Sequence, residues 1–202
     1  MEAQRAVQRN DQERVAVLEK YAILDTEPEQ AFDDLTLLAS FICKTPIAMI
    51  SLIDEDRQWL KSKVGITVSE TPRDVAFCSV AIQQADVMVV PDTLKDERFC
   101  NNPFVTGGPK IRFYAGAPLI NEDGYALGTL CVVDKTPREF NDEQKEALQA
   151  LSRLVLAQLE FRRNLHLLKE ALTERTKDEH EREREILKLQ QQLTRVLGLN
   201  IQ

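Results

Sequence analysis

The chain has 202 residues, 43% of them hydrophobic and 29% charged, a composition that suits one soluble domain with an extension. Its net charge of −7 is uneven, because residues 141–202 hold 11 basic and 11 acidic side chains and the first 140 hold 15 against 22. An acidic first part excludes nucleic acid as the main partner, since phosphate contacts need a basic face, and the longest apolar runs, such as Ile47–Ile53, are too short to cross a bilayer.

In chain order, residues 11–22 place Val15, Val17, Leu18, Tyr21 and Ala22 on one helical face. Ile23–Pro28 breaks that helix. Residues 29–44 form a second, with Phe32, Leu35, Leu38, Ala39 and Ile42 at helical spacing and Pro46 closing it. Ile47–Ile53 and Gln58–Val64 flank a polar turn and read as an antiparallel strand pair. Gly65–Asp74 reads as a loop, Asp74 as the cap of a short helix over 75–84, and 86–90 as a strand ended by Pro91. Residues 92–109 make a long irregular crossing, rich in Asn, Pro and Gly; crossings of this length are usually functional or mobile. Arg112–Leu119 and Tyr125–Asp134, joined by Asn121-Glu-Asp-Gly124, form a hairpin. Two helices, five strands and successive hairpins predict an α+β fold, an antiparallel sheet flanked by helices.

The chain then changes character. After Pro137 there is no proline, and the only glycine is Gly198. Asn141 with Gln144 three positions on opens a helix. From Asn141 to Leu197 is 57 residues, about 85 Å of helix. Counted in sevens, Leu151, Leu165, Leu172, Ile186 and Leu193 form one row, with Gln158 and Glu179 between them. Leu154, Phe161, Leu168, Leu189 and Val196 form the row three positions on, with Arg175 and Arg182. These rows are the two core positions of a coiled coil, which a lone helix has no use for. The expected partner is the same helix of a second chain, in a parallel homodimer. Arg175, Glu179 and Arg182 interrupt the seam, and Glu179 is expected to pair with an arginine of the facing helix. The predicted organisation is a sensory domain over 1–140 (its N-terminal helix 11–22), a signalling and dimerisation helix over 141–197 and a tail over 198–202, with Gly198 ending the helix.

No Walker loop, dinucleotide fingerprint or HExxH sequence is present, and both histidines, His166 and His180, fall in the long helix. Cys43, Cys78, Cys100 and Cys131 show no metal-ligand spacing and read first as reduced, mostly buried thiols. No metal site is expected. Met1–Asn10 is polar and has no signal-peptide core, so a cytoplasmic location without membrane is expected.

Several phrases taken together carry a resemblance: Glu70-Thr-Pro-Arg73-Asp74-Val-Ala-Phe77-Cys78, Val89-Val-Pro91-Asp92, Asp96-Glu-Arg98-Phe99, Asn102-Pro103-Phe104-Val105, Arg112-Phe-Tyr114-Ala-Gly116-Ala-Pro118-Leu119 and Leu127-Gly128-Thr129-Leu130-Cys131-Val-Val-Asp134, with Tyr21-Ala-Ile-Leu-Asp25 and Ile50-Ser-Leu-Ile-Asp54 ahead of them. Over residues 11–160 the chain resembles a GAF domain, of the bacterial kind placed ahead of histidine kinase or cyclic-di-GMP synthesising output domains. The resemblance implies an antiparallel sheet with flanking helices, dimerisation through terminal helices, a downstream kinase or cyclase as partner, and a small-molecule site between the sheet and the crossing.

It also limits the ligand. Bilin-binding relatives commonly carry a Cys-His pair, and this chain has none, which leaves a bilin photosensor only a thioether through Cys78 or Cys100. Haem ordinarily wants a histidine, and the first 140 residues have none, which leaves only Cys or Tyr ligation. The Asn-Lys-Phe-Asp-Glu set of cyclic-nucleotide binders is missing, and the cysteines do not match an obvious methionine sulfoxide reductase pattern. The cofactor is therefore unknown, with none predicted, and the segment is read as a non-enzyme. Arg73 and Arg112 are the candidate cations for an anionic ligand, Trp59, Phe77, Phe99 and Tyr114 the candidate aromatic walls, Asp92 a candidate acceptor and Cys78 a candidate reactive thiol. Core packing for the aromatics and an internal ion pair for Arg73 stand beside those roles. So do two other functions, a ligandless spacer and a thiol enzyme. A cavity lined by Arg73 or Arg112 would favour the sensor; a filled site would favour the spacer.

Overall fold

The computed structural model describes residues 11–196, without the side chain of Val196. The expectations for Met1–Asn10, the Val196 contact, Leu197, Gly198 and the tail lie outside the described residues. The elements are α1 (Asp11–Glu19), α2 (Gln30–Cys43), β1 (Ile47–Ile53), β2 (Arg57–Val64), β3 (Glu70–Pro72), α3 (Phe77–Ala81), β4 (Met88–Val90), α4 (Pro103–Thr106), β5 (Phe113–Ile120), β6 (Ala126–Asp134) and α5 (Asp142–Val196). The strands form one antiparallel sheet in the order β3-β2-β1-β6-β5-β4.

The α+β expectation holds, with two additions and one correction. The sheet has six strands rather than five. β3 is three residues long, too short for alternation to reveal, and exists because it pairs with Arg57–Trp59. The crossing contains α4, where Asn102 accepts from the Phe104 N–H at 2.8 Å and Pro103 takes the first helical position. Asp74 caps nothing: it sits in a 3-10 turn over Arg73–Val75, and α3 starts at Phe77 without a side-chain cap.

All seven residues of β1 are buried, because both faces of the sheet are covered. On one face Leu18 of α1, Phe32 and Ala39 of α2, and Leu148, Val155 and Leu159 of α5 pack over Ile50, Leu52, Leu130 and Val132. On the other, Phe77 and Ala81 of α3, Phe99 and Val105 close over Ile47, Met49, Tyr114 and Val133. Lys61, its side chain fully buried, donates to Thr26 Oγ1 (2.9 Å), the Glu27 carbonyl (2.7 Å) and Glu29 Oε1 (2.8 Å), so its charge is partnered.

A reciprocal cap starts α5. Asn141 Oδ1 accepts from the Gln144 N–H (2.8 Å), Gln144 Oε1 accepts from the Asn141 N–H (3.2 Å), and Gln144 Nε2 reaches back to the Cys43 carbonyl (3.1 Å). The compact unit runs through Phe161, and a second unit begins at Arg162. The boundary expected at residue 140 is therefore displaced by about six turns, because Leu148, Leu151, Val155 and Leu159 complete the core. Leu151, expected in a dimer seam, is a correction for the same reason: its side chain is spent inside its own domain. In the second unit, Leu165, Leu168, Leu172, Ile186, Leu189 and Leu193 are 41–64% exposed. Arg175 Nε pairs with Glu179 Oε1 at 3.2 Å along the same helix.

Candidate functional site

The second face of the sheet is incompletely filled. A pocket of about 390 Å³ lies between β1, β2 and the Ile66–Val68 segment on one side and Phe77, Phe104, Pro109 and Ile111 on the other, within the size range of small-molecule sites. Its polar lining residues are Gln58, Thr67, Thr71, Cys78 and Tyr114, and no charged residue lines it.

Three of the eight candidate residues, Phe77, Cys78 and Tyr114, meet at this pocket. Phe99 stands behind the wall, stacked on Phe77 with ring centroids 4.3 Å apart; Phe77 in turn stacks on Tyr114 at 5.3 Å. The other four are elsewhere. Trp59 points to the opposite face, since it alternates with the pocket residues Gln58 and Leu60. Asp92 holds its own turn by accepting from the Leu94 N–H (3.2 Å) and lies 3.4 Å from Lys95 Nζ.

Neither arginine faces the pocket, and both are tied to backbone carbonyls. Arg73 donates to the Asp54 and Glu55 carbonyls (both 3.0 Å) and pairs with Asp11 at 2.7 Å. Its expected internal ion pair is thus with Asp11, not Asp74 or Asp92. Arg112 donates to the Val105 and Ile111 carbonyls, both at 2.9 Å, and pins the end of the crossing. A guanidinium carries five donors, so a strand-end arginine beside free carbonyls is consumed by them. A cavity is present, but neither Arg73 nor Arg112 lines it, so it is not the cavity that was expected of a sensor.

Cys131, Ser51 and Thr129, none of them a site candidate from the sequence, lie behind Cys78 with Tyr114. Cys131 Sγ is 3.6 Å from Cys78 Sγ and also contacts the Met49 carbonyl at 3.7 Å. The Tyr114 hydroxyl donates to Cys78 Sγ at 3.3 Å, and Ser51 Oγ is 3.1 Å from Thr129 Oγ1. Strand register creates this cluster: Met49 and Gly116 both face Cys131, and Ser51 faces Thr129. Gly116 is required, because a Cβ there would lie 2.2 Å from the Tyr114 hydroxyl, so only glycine lets that ring lean along the sheet toward Cys78. Burial pushes the Cys78 thiol up, but hydrogen bonds from Cys131, Ser51, Thr129 and Tyr114 outweigh it and leave Cys78 more acidic than an ordinary thiol. Burial and the neighbouring Cys78 sulfur drive Cys131 up instead, and burial raises Tyr114. The hairpin register was the signal in the sequence that would have placed Cys131 beside Tyr114 and Gly116.

The GAF domain family matches residues 27–159. The chain belongs to that family. The chain is 38% identical over 162 residues to the cyclic di-GMP phosphodiesterase PA2567 of Pseudomonas aeruginosa, a match that covers 80% of this chain and 28% of that protein. Among solved structures, it superposes on the GAF domain of an Acinetobacter phosphoenolpyruvate-protein phosphotransferase (TM-score 0.56, 18% identity, 76% of this chain and 95% of the other). It also superposes on a free methionine-R-sulfoxide reductase from Neisseria meningitidis, solved with its substrate (TM-score 0.56, 16% identity, 74% and 89%). At these identities the structural likeness establishes the fold. The GAF domain's sensory class and its signalling relative agree with the resemblance read from the sequence. Among the described residues no helix is long and apolar enough to cross a membrane, and no group of three or more His, Cys, Asp or Glu side chains is placed to hold a metal ion.

Proposed function

We propose that this chain is a cytoplasmic GAF sensory module whose pocket takes a small, uncharged, largely apolar molecule and whose C-terminal helix pairs with that of a second copy. The parallel homodimer relays the state of the pocket to an output domain, and the segment regulates rather than catalyses. The observation that carries the reading is the seam beyond Phe161. Six apolar side chains at heptad spacing, from Leu165 to Leu193, stand 41–64% exposed, an arrangement a lone helix gains nothing from and a paired helix buries. Leu154 and Phe161, 55% and 58% exposed within the compact unit, are assigned to the same rows by their register in sevens, as is Val196.

The pocket supports a ligand over a bare spacer. Its mixed wall of apolar and hydrogen-bonding groups, with no fixed charge, suits a neutral molecule, since an anion moved there would lose its hydration without a counter-charge. A ligand biases the module only through unequal affinity for two states of the domain. For the output, a relative named as a cyclic di-GMP phosphodiesterase makes a domain that handles that nucleotide a candidate beside a kinase or a cyclase.

Sedimentation analysis at micromolar concentration tests the dimer. The chain is expected to sediment as a dimer and the double variant L165E/L172E as a monomer with an intact compact unit. A monomeric parent chain would overturn the reading. Native mass spectrometry of the same sample tests the pocket, which is expected to retain a neutral small molecule that Val68→Trp excludes.

A further inference from the structure

A pair of thiols, one in the pocket wall and one behind it, is left unused by the sensory reading. Cys78 and Cys131 are 53 positions apart in sequence, yet their sulfurs are in van der Waals contact at 3.6 Å. Only Cys78 reaches the pocket. Its sulfur accepts the Tyr114 hydroxyl at 3.3 Å. The two sulfurs are also unequal. Cys78 is held more acidic than an ordinary thiol and Cys131 less so, which separates a nucleophile from a protonated partner. The other two cysteines lack this arrangement: Cys43 is buried with its thiol pushed up to about 11, and the partly exposed Cys100 has only the Glu97 carbonyl at 3.9 Å.

We propose that Cys78 and Cys131 are a redox modification site, a reversible disulfide formed when a small hydroperoxide enters the pocket. The inference rests on the pocket being the sensory site, and it adds a second kind of input there. In the first step the Cys78 sulfur attacks the peroxide. An S–O bond forms, the O–O bond breaks, and the alcohol (or water, from hydrogen peroxide) leaves with the thiol's proton, so that Cys78 becomes a sulfenic acid. In the second step the Cys131 sulfur attacks Cys78 Sγ; the S–S bond forms, the S–O bond breaks, and water leaves with the Cys131 proton. Two thiols lose two electrons in all, and the peroxide gains them. A dithiol reductant reverses the change by thiol–disulfide exchange.

Closing the gap to a bonded separation of about 2.05 Å draws Cys78 toward β6. Cys78 follows Phe77, which stacks between Phe99 and Tyr114, so the pull is passed to the aromatic wall of the pocket. The thiol that accepted the Tyr114 hydroxyl is consumed in the same event. Oxidation thereby alters the surface a ligand meets, and the sequence of α3, only five residues long, leaves few helical hydrogen bonds to resist it.

The test is made on the reduced full chain. It is treated with one equivalent of hydrogen peroxide, alkylated under denaturing conditions and mapped by non-reducing peptide mass spectrometry. The expected result is loss of two hydrogens per chain, a Cys78–Cys131 cross-linked peptide, alkylated Cys43 and Cys100, and return of all four free thiols after dithiothreitol. In Cys131→Ser the reaction is expected to stop at a dimedone-reactive sulfenic acid on Cys78. Free Cys78 and Cys131 after peroxide, or a cross-link that uses Cys100 instead, would overturn the proposal. The unsubstituted chain gives the deciding result, so poor folding of a variant does not obscure it. Cross-link mapping reads neither dimerisation nor ligand retention, and a failure here is thus separable from a failure of the sensory reading.

Discussion

The two faces of the sheet are built from the same strands and finished differently. One is covered by α1, α2 and the start of α5, whose apolar side chains pack into one core, with a polar groove at its β2 edge beside Asp33, Trp59 and Lys61. The other is covered by the short α3, the crossing and the Ile66–Val68 segment, and they leave about 390 Å³ open beside a cluster of thiols and hydroxyls. Long helices present apolar stripes that mesh with a sheet. Short irregular segments cannot, and the space they leave is the site proposed above for a ligand and for thiol chemistry.

The largest expected effect tests the filled face. Phe32 is fully buried between α2 and the sheet, so Phe32→Ala should cost about 3–5 kcal/mol of unfolding free energy in urea titration. A cost near that of a surface change would mean this face is not the stabilising one. On the open face, Gly116→Ala places a Cβ where the Tyr114 hydroxyl now lies. It should cost about 1–3 kcal/mol as the ring moves and should change the alkylation rate of Cys78. A smaller effect, at the edge of the filled face, is expected for Asn141→Ala. It removes the cap on Gln144 and should cost about 1 kcal/mol, with the Gln144 tie to Cys43 loosened in hydrogen exchange.

What was legible follows the same division. β1, the β5–β6 hairpin, α2 and the opening of α5 were read close to their observed bounds, because periodicity and turn chemistry are local signals. The partner of a periodic stripe is not local. Leu151 and Leu165 occupy the same position in the sevens, yet one is buried in its own domain and the other is 41% exposed. Site residues failed where the deciding neighbour was backbone: nothing near Arg73 or Arg112 in sequence announces the carbonyls that bind them. Trp59 failed through strand parity, which the adjacent Gln58 and Leu60 would have settled. Cys131 was named only as a buried thiol, since its contact with Cys78 depends on how α3 lies across the sheet.

The smallest expected effect concerns what Arg73 does in place of binding a ligand. Asp11 Oδ1 accepts from both Arg73 Nη2 and Arg14 Nε at 2.7 Å. Arg14 also donates to the Ile53 carbonyl, and Arg73 to those of Asp54 and Glu55, so one carboxylate ties α1 to the turn after β1. The Arg73 hydrogen bond, over burial and with help from Arg14, lowers Asp11 from 3.8 to about 2. A carboxyl depressed on folding contributes stability that is complete above its unfolded pKa and lost as pH falls through the folded one. The loss should therefore fall between about pH 4 and 2. The Asp11 side chain is 52% exposed, so solvent screening holds the contribution to about 0–1 kcal/mol. Asp11→Asn should lower the melting temperature slightly at neutral pH and flatten its acid dependence over that interval, with peroxide cross-linking of Cys78 unchanged. If the variant instead blocked ligand retention, Arg73 would have a part in the open face that its carbonyl partners do not explain.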